Sequence, residues 1–381
     1  MGRKVLFTAS TYSHIVNFHL PYLRKFREEG WTVHAACGGT PMSIPYADEV
    51  MDFPLKKSMW APGNFKAAAA LSNQIRREGY GLICAHTSLA AFFTRMAFWG
   101  LEECPQMACM VHGYLFDDET PWLKRTLLLG AERWMAPVTG LLLTMNRWDF
   151  ETAVKYQLGQ RVAQIPGVGV DFSRFDEVPA GLRPRLRKKL GIPEDAFVLI
   201  YAAEFSARKS QGVLIRAMGR LPEHVRLVLA GDGGLRQECE ALAQRLGMAG
   251  RVLFPGQVQD MPAWYAMADA AVSTSRSEGL PFNIMEAMYA GLPVVASDVK
   301  GHRDLISDGE TGLLYPYGDE KACAERVWQL MDCPALRRNM AGRAREYVKQ
   351  YSLEQVLPKV WKEYAELASD DARIHVISSR Y

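Results

Sequence analysis

Apolar residues in this chain cluster in short runs, and between the runs they recur every three or four positions. The runs Lys4 to Ala9, Val33 to Cys37, Leu82 to Ala85, Met107 to Val111 and Leu141 to Thr144 predict strands buried on both faces. The stretches Phe18 to Glu29, Phe65 to Glu78 and Trp122 to Trp134 predict helices between them. Strand alternating with helix is the pattern of a parallel, doubly wound sheet.

The pattern then repeats. After a helix at Leu182 to Leu190, strands are predicted at Phe197 to Ala202, Val225 to Ala230, Val252 to Phe254, Ala270 to Thr274, Pro293 to Ala296 and Gly312 to Tyr315. Helices are predicted at Gly212 to Arg220, Leu235 to Leu246, Lys321 to Met331, Ala335 to Lys349 and Leu353 to Leu367. Pro166, Gly167 and Gly169 interrupt both periodicities, so the boundary falls in the segment Ile165 to Phe175. The expected fold is α/β with two Rossmann-like doubly wound parallel sheets: an N-terminal domain over 1–168, a second over 169–350, and a C-terminal helix and tail over 351–381. The tail holds a short apolar run at Ile374 to Ile377 that predicts a strand without a place. Such sheets take ligands beyond the carboxyl ends of their strands, and two facing sheets would share one interdomain cleft.

A length of 381 residues suits two domains, and 49% hydrophobic with 23% charged residues is the composition of a globular protein. The formal net charge of +3 gives no electrostatic case for a nucleic-acid partner. Seven scattered cysteines, an odd number set mostly in apolar stretches, read as reduced buried thiols. The first residues enter a strand without a secretory apolar region, and no run approaches the roughly 18 apolar residues of a membrane span. The expected location is therefore the cytoplasm, with peripheral contact at the inner face of the membrane.

The densest chemistry lies between Ser275 and Pro293. Glu278 precedes a helix that Pro281 can open at its first position, Glu286 follows about two turns later, and Gly291 with Pro293 closes it. A helix N-terminus favours an anion, and carboxylates can grip vicinal hydroxyls, so a phosphate flanked by sugar diols fits the pair. Common helix formers would also produce this spacing by chance. Arg208 and Lys209 stand in a strand-to-helix loop, where cations can stabilise a departing diphosphate or simply face solvent. His112 ends a predicted strand, and Ser13, His14 and Asn17 lie in the first strand-to-helix loop, as phosphate or acceptor contacts or as part of a helix cap. Gly231-Asp-Gly-Gly lacks the lysine and hydroxyl of a phosphate-binding P-loop and reads as a turn beside the donor.

The segment 275–297, with 204–212, resembles glycosyltransferase family 4, the retaining nucleotide-sugar transferases of GT-B architecture. The resemblance extends from the first strand to about residue 350, and a subgroup acting on capsular and exopolysaccharides is nearest, because Glu204 stands where many members carry an arginine. It implies that Glu286 binds the ribose hydroxyls, that Glu278 contacts the transferred sugar, and that the backbone of Gly279, Leu280, Pro281 and Phe282 meets the pyrophosphate. It also implies phosphate contacts for Arg208 and Lys209, base recognition near Gln257 and Val258, and a hydrogen bond from His112 to the reacting complex. The catalytic set is thus His112, Glu278 and Lys209, with no metal and no cofactor. The donor expected is a UDP-sugar over a GDP-sugar. The acceptor expected is a saccharide linked to undecaprenyl diphosphate.

Lys56, Lys57, Trp60, Phe65 and Lys66, with Trp122, Lys124 and Arg125, mix aromatic and basic groups, which suits an anionic membrane surface as well as ordinary amphipathic helices. The rival activities are a nucleotide-sugar 2-epimerase of the same architecture and a non-catalytic transferase subunit. An NAD-dependent dehydrogenase is disfavoured, since no G-x-G-x-x-G follows the first strand.

Overall fold

A computed structural model describes residues 3–101, 103–179 and 181–369, which form two compact units. The first unit runs to Val168 and resumes at Val356; the second is Gly169–Gln355.

Unit 1 begins β1 (Lys4–Ala9), α1 (Tyr12–Phe18), α2 (Leu20–Glu28), β2 (Thr32–Cys37), β3 (Glu49–Asp52) and α3 (Pro62–Glu78). It continues with β4 (Leu82–His86), α4 (Ser88–Met96), β5 (Gln106–Val111), α5 (Trp122–Met135), β6 (Leu141–Thr144), α6 (Arg147–Tyr156) and β7 (Arg161–Gln164). All its strand pairs are parallel, in the order β3-β2-β1-β4-β5-β6-β7. The central strands are buried along their length because both faces are covered by helices, with Leu6, Ile83, Met107 and Leu142 in one core with Phe93 and Phe98.

Unit 2 opens with α7 (Ser173–Asp176), α8 (Leu182–Lys189), β8 (Phe197–Ala202), α9 (Gln211–Ala217), β9 (Val225–Ala230), α10 (Arg236–Arg245) and β10 (Val252–Gly256). Then follow α11 (Met261–Met267), β11 (Ala270–Ser273), α12 (Phe282–Tyr289), β12 (Val294–Ser297), α13 (His302–Leu305), β13 (Leu313–Tyr315), α14 (Glu320–Asp332) and α15 (Pro334–Val348). Its parallel sheet has the order β10-β9-β8-β11-β12-β13 over a core of Leu199, Tyr201, Leu227, Val272 and Val295. The last helix, α16 (Leu353–Ser369), joins unit 1 from Val356, where Trp361 and Tyr364 meet Phe26 edge-on or tilted at 4.9 and 5.8 Å.

Local signals explain several boundaries. Asp319 caps α14 by accepting from the N–H of Lys321 and Ala322, Asn146 caps α6 through Asp149 N–H, and Gly79 ends α3 in the left-handed region at φ +62°. The expected helix Phe18 to Glu29 is α2, which begins at Leu20 behind the turn at His19 with Pro21 in its first turn, whereas the stretch read as the first strand-to-helix loop forms α1, so Ser13, His14 and Asn17 stand on a helix. Pro281 is the N-cap of α12, with extended backbone, and not its first helical residue. The edge strands β3 and β7 carry no fully buried residue, so they show no apolar run. Among the described residues six helices, α1, α4, α6, α7, α11 and α13, escaped the periodicity reading. The run Ile374 to Ile377 lies outside the described residues.

Six cysteines are buried and Cys333 is exposed, and all seven are free thiols. Among the described residues no helix is long and apolar enough to cross a membrane.

Candidate functional site

In unit 2 the strand order reverses between β8 and β11, the position where doubly wound sheets open a crevice at their carboxyl ends. The loops leaving these two strands carry Arg208 with Lys209 and Glu278, respectively. They are tied together through buried polar groups. Thr274 Oγ1 donates to the carbonyls of Lys209 and Ser210, both at 3.0 Å, and Tyr201 OH donates to Lys209 O at 3.1 Å and lies 2.8 Å from Ser275 Oγ. The N–H of Arg276 donates to Arg208 O at 2.8 Å.

Glycines let neighbouring loops press against this frame. A Cβ on Gly231, at φ +145°, would stand 2.1 Å from Ala203 O, and one on Gly301, at φ +79°, would stand 2.5 Å from Gly279 O. Both positions therefore require glycine for conformation and for space. Gly231-Asp-Gly-Gly is a support for the β8 loop: Phe205 N–H donates to Asp232 O at 2.9 Å.

On this frame Lys209 Nζ donates to Glu278 Oε1 at 2.5 Å, and Arg208 Nη1 donates to Glu278 Oε2 at 2.7 Å. Burial alone would raise the Glu278 carboxyl, but the charges of Lys209 and Arg208 more than offset it and hold it at about 2. Lys209 is pushed down by its own burial, with the Glu278 attraction offsetting only part. Two cations against one carboxylate leave an excess positive charge, with Arg208 half-exposed. His302 lies beneath the cluster, its ring within 3.3 Å of Ser273 Oγ and Ser297 Oγ, and burial lowers it to about 4.

Helix α12 is anchored by Asn283, whose Nδ2 donates to Ala202 O at the end of β8 at 3.0 Å. Leu280 and Pro281 are buried, and Phe282 opens the helix. Glu286 is held differently from Glu278: its one side-chain hydrogen bond among the described residues is a long 3.4 Å contact from Tyr265 OH. Burial raises its carboxyl to about 7, with Arg174 and Tyr265 pulling the other way. A carboxylate with unspent lone pairs is suited to accept from hydroxyl groups. Gln257 and Val258 follow β10 at the sheet edge, two strands from β8, and the hydrogen-bonded group around Glu278 does not include them. Glu204 is exposed, its carbonyl accepting from Gln211 Nε2 at 2.8 Å.

In unit 1 the order reverses between β1 and β4, and there four histidines converge. His112 Nε2 lies 3.3 Å from His14 Nε2, which lies 3.3 Å from His19 Nε2, while the His86 ring sits over His19 with centroids 3.7 Å apart. Burial lowers His14 to about 4 and holds His112, His19 and His86 well below the usual imidazole value, so the rings are neutral. Ser13 lies at the surface beside the Thr11 cap, with Oγ 3.1 Å from Thr11 Oγ1, and Asn17 is exposed on α1.

Sequence reasoning missed Tyr201, Thr274 and Ser275, whose hydroxyls lie in or just after apolar strands, and also His302 at the start of α13, His19 between α1 and α2, and His86 at the end of β4. For Tyr201, Thr274, Ser275 and His86 the available signal was a hydroxyl or imidazole at the carboxyl end of a strand, where a polar residue has no core reason to be; His302 and His19, on or between helices, carried no such signal. On the outer surface of unit 1, Trp60 and Trp122 are 82% and 77% exposed, with Lys56, Lys57, Phe65, Lys66 and Lys124 also at the surface and Arg125 paired to Asp118 at 3.1 Å.

Two Rossmann-like sheets, each with its polar cluster at the reversal of strand order, define the GT-B class of glycosyltransferase. The description "Glycosyl transferases group 1" matches residues 183–347. The chain is 35% identical over 357 residues to the putative glycosyltransferase EpsD of Bacillus subtilis, covering 92% of this chain and 93% of EpsD. It is 31% identical over 368 residues to N-acetyl-alpha-D-glucosaminyl L-malate synthase of Bacillus anthracis, covering 91% and 92%. Among solved structures it is similar to Anabaena HepE in complex with UDP and glucose, with a TM-score of 0.79 at 19% identity over 95% of this chain and 99% of that one. Sucrose-phosphate synthase from Thermosynechococcus elongatus matches with a TM-score of 0.79 at 20% identity over 96% and 98%. The protein belongs to the group 1 glycosyltransferases.

Proposed function

We propose that this protein transfers a hexosyl or N-acetylhexosaminyl residue from a UDP-sugar to a saccharide acceptor on a lipid diphosphate, with retention of anomeric configuration. The observation that carries the reading is the Arg208–Lys209–Glu278 cluster at the strand-order reversal of unit 2, with the underused carboxylate of Glu286 in the same unit. Its net positive charge matches a diphosphate, which can take over the donors that Glu278 now occupies. Fixed cations and the backbone N–H groups of Gly279, Leu280 and Phe282, which lead into α12, then stabilise the leaving group with no metal at the pyrophosphate. Glu286 accepts from the ribose diol, the released Glu278 carboxylate contacts the transferred sugar, and Gln257 and Val258 flank the base.

In this reading unit 2 is the donor domain and unit 1 the acceptor domain, with His112 hydrogen-bonded to the reacting sugar and Ser13, His14 and Asn17 near the acceptor. The acceptor oxygen forms its bond to the anomeric carbon as the bond to the phosphate oxygen breaks, and the acceptor proton passes to that phosphate oxygen. The protein contributes position and charge rather than a general base. UDP in the HepE structure and the glycosyl-transfer activities named for the relatives support the substrate class. The exposed Trp60, Trp122 and lysines support peripheral contact with an anionic membrane that carries the acceptor.

The test is turnover with UDP-sugars and lipid-linked saccharides, with the anomeric configuration of the product read by NMR. An α-linked product from an α-linked donor is expected. UDP-GlcNAc converted to its 2-epimer without an acceptor, or no UDP release with any acceptor, would remove the proposal.

A further inference from the structure

We propose that His14, His19 and His112 form a site for a zinc-type transition cation, and that the bound cation inhibits transfer. The three side chains come from α1, the α1–α2 break and the end of β5, and each offers a ring nitrogen within 4.8 Å of the others. Two of the separations, His14 to His112 and His14 to His19, are 3.3 Å between Nε2 atoms. Zinc–nitrogen bonds of about 2.0–2.1 Å around a tetrahedron place neighbouring nitrogens roughly 3.3–3.4 Å apart. The imidazoles thus stand close to the spacing such an ion requires before any ion arrives.

The surroundings fit a cation better than a completed hydrogen-bond network. Three neutral Nε2 atoms facing one another cannot all be satisfied by N–H···N bonds, and among the described residues His19 Nδ1 and both nitrogens of the buried His86 lack partners. Imidazole nitrogen selects zinc, copper or nickel over magnesium, which demands oxygen. His14 and His112 are partly exposed, which leaves an entry route and an open fourth position for water. Among the described residues the one other group of this kind, His34, Glu49 and Glu78, already holds the Lys4 ammonium 2.8 Å from Glu78.

The inhibitory consequence rests on the proposed placement of His112 at the transferred sugar: with its Nε2 bound to metal, that atom can no longer hydrogen-bond there. Binding itself does not depend on that reading, and the cation takes no part in transfer.

The experiment titrates the full chain with Zn²⁺ alone against a chromogenic chelator, and with Co²⁺ to read coordination from its visible spectrum. One zinc per chain with a four-coordinate cobalt spectrum is expected. His14→Gln and His112→Gln should each weaken zinc by about tenfold or more, since each removes a ligand, whereas His34→Gln should bind as the wild type does. Circular dichroism of each metal-free variant excludes misfolding as the cause. No stoichiometric zinc on the wild type, or equal affinity in His14→Gln, overturns the site. Zinc that binds as described yet leaves turnover unchanged overturns the inhibition alone.

Discussion

Replacing Glu278 by glutamine keeps the shape of the side chain and removes its charge, leaving the buried Lys209 and the half-exposed Arg208 without a counter-ion. The carboxyl sits at about 2 in the folded chain against an ordinary 4.5. At 1.36 kcal/mol per pKa unit this corresponds to about 3 kcal/mol of stability. Burial of the Lys209 ammonium takes back part of that gain, so Glu278→Gln should destabilise unit 2 by about 2–3 kcal/mol at pH 7. The sign with pH follows from the lowered folded value. The contribution is complete above about 4.5 and is lost as the pH falls toward 2, so wild type and variant should converge in acid. Hydrogen exchange of peptides covering β8 and β11, followed along a urea series at pH 7 and pH 3, reads the opening of this unit directly. A difference below about 1 kcal/mol at pH 7, or one equally large at pH 3, would refute the claim that the charge pairing holds the two loops together.

Three further outcomes follow from the same geometry. With Glu286 at about 7, its ionised fraction, and with it affinity for uridine, should drop about tenfold between pH 8 and pH 6; Glu286→Gln should flatten that profile and bind more weakly throughout, as calorimetry would show. Gly301→Ala forces a Cβ to within 2.5 Å of Gly279 O in a left-handed backbone, so the Glu278–Gly279 backbone must shift. A cost of about 1–3 kcal/mol and weakened UDP binding are expected, and thermal unfolding with and without UDP checks both. Exhaustive chelation of divalent ions should leave the transfer rate undiminished, and a rate lost on chelation and restored by Mg²⁺ would contradict a metal-free leaving-group site.

The doubly wound fold was legible because buried parallel strands such as Phe197–Ala202 and Leu141–Thr144 write themselves as apolar runs. The two edge strands of unit 1 were not, since Glu49–Asp52 and Arg161–Gln164 face solvent and carry polar residues. Arg208, Lys209 and Glu278 could each be placed at a strand end from sequence. That they touch could not, because Lys209 and Glu278 are 69 residues apart and meet only through the adjacency of β8 and β11. The contrast between Glu278, saturated by cations, and Glu286, almost unpartnered, belongs to tertiary packing and has no local signature. Likewise His112 and His14 stood out singly, while His19 and His86 are hidden in apolar surroundings and join them only when β1, β4 and β5 lie side by side.

The most direct measurement of the donor-site claim is UDP titration of the wild-type chain and of Lys209→Met by calorimetry at neutral pH. A charge-assisted contact to phosphate is worth about 1.5–3 kcal/mol, so the variant should bind UDP roughly 10- to 150-fold more weakly while uridine binding stays nearly unchanged. Equal UDP affinity in the two proteins would contradict the account, because the diphosphate would then be held somewhere other than the β8–β11 junction.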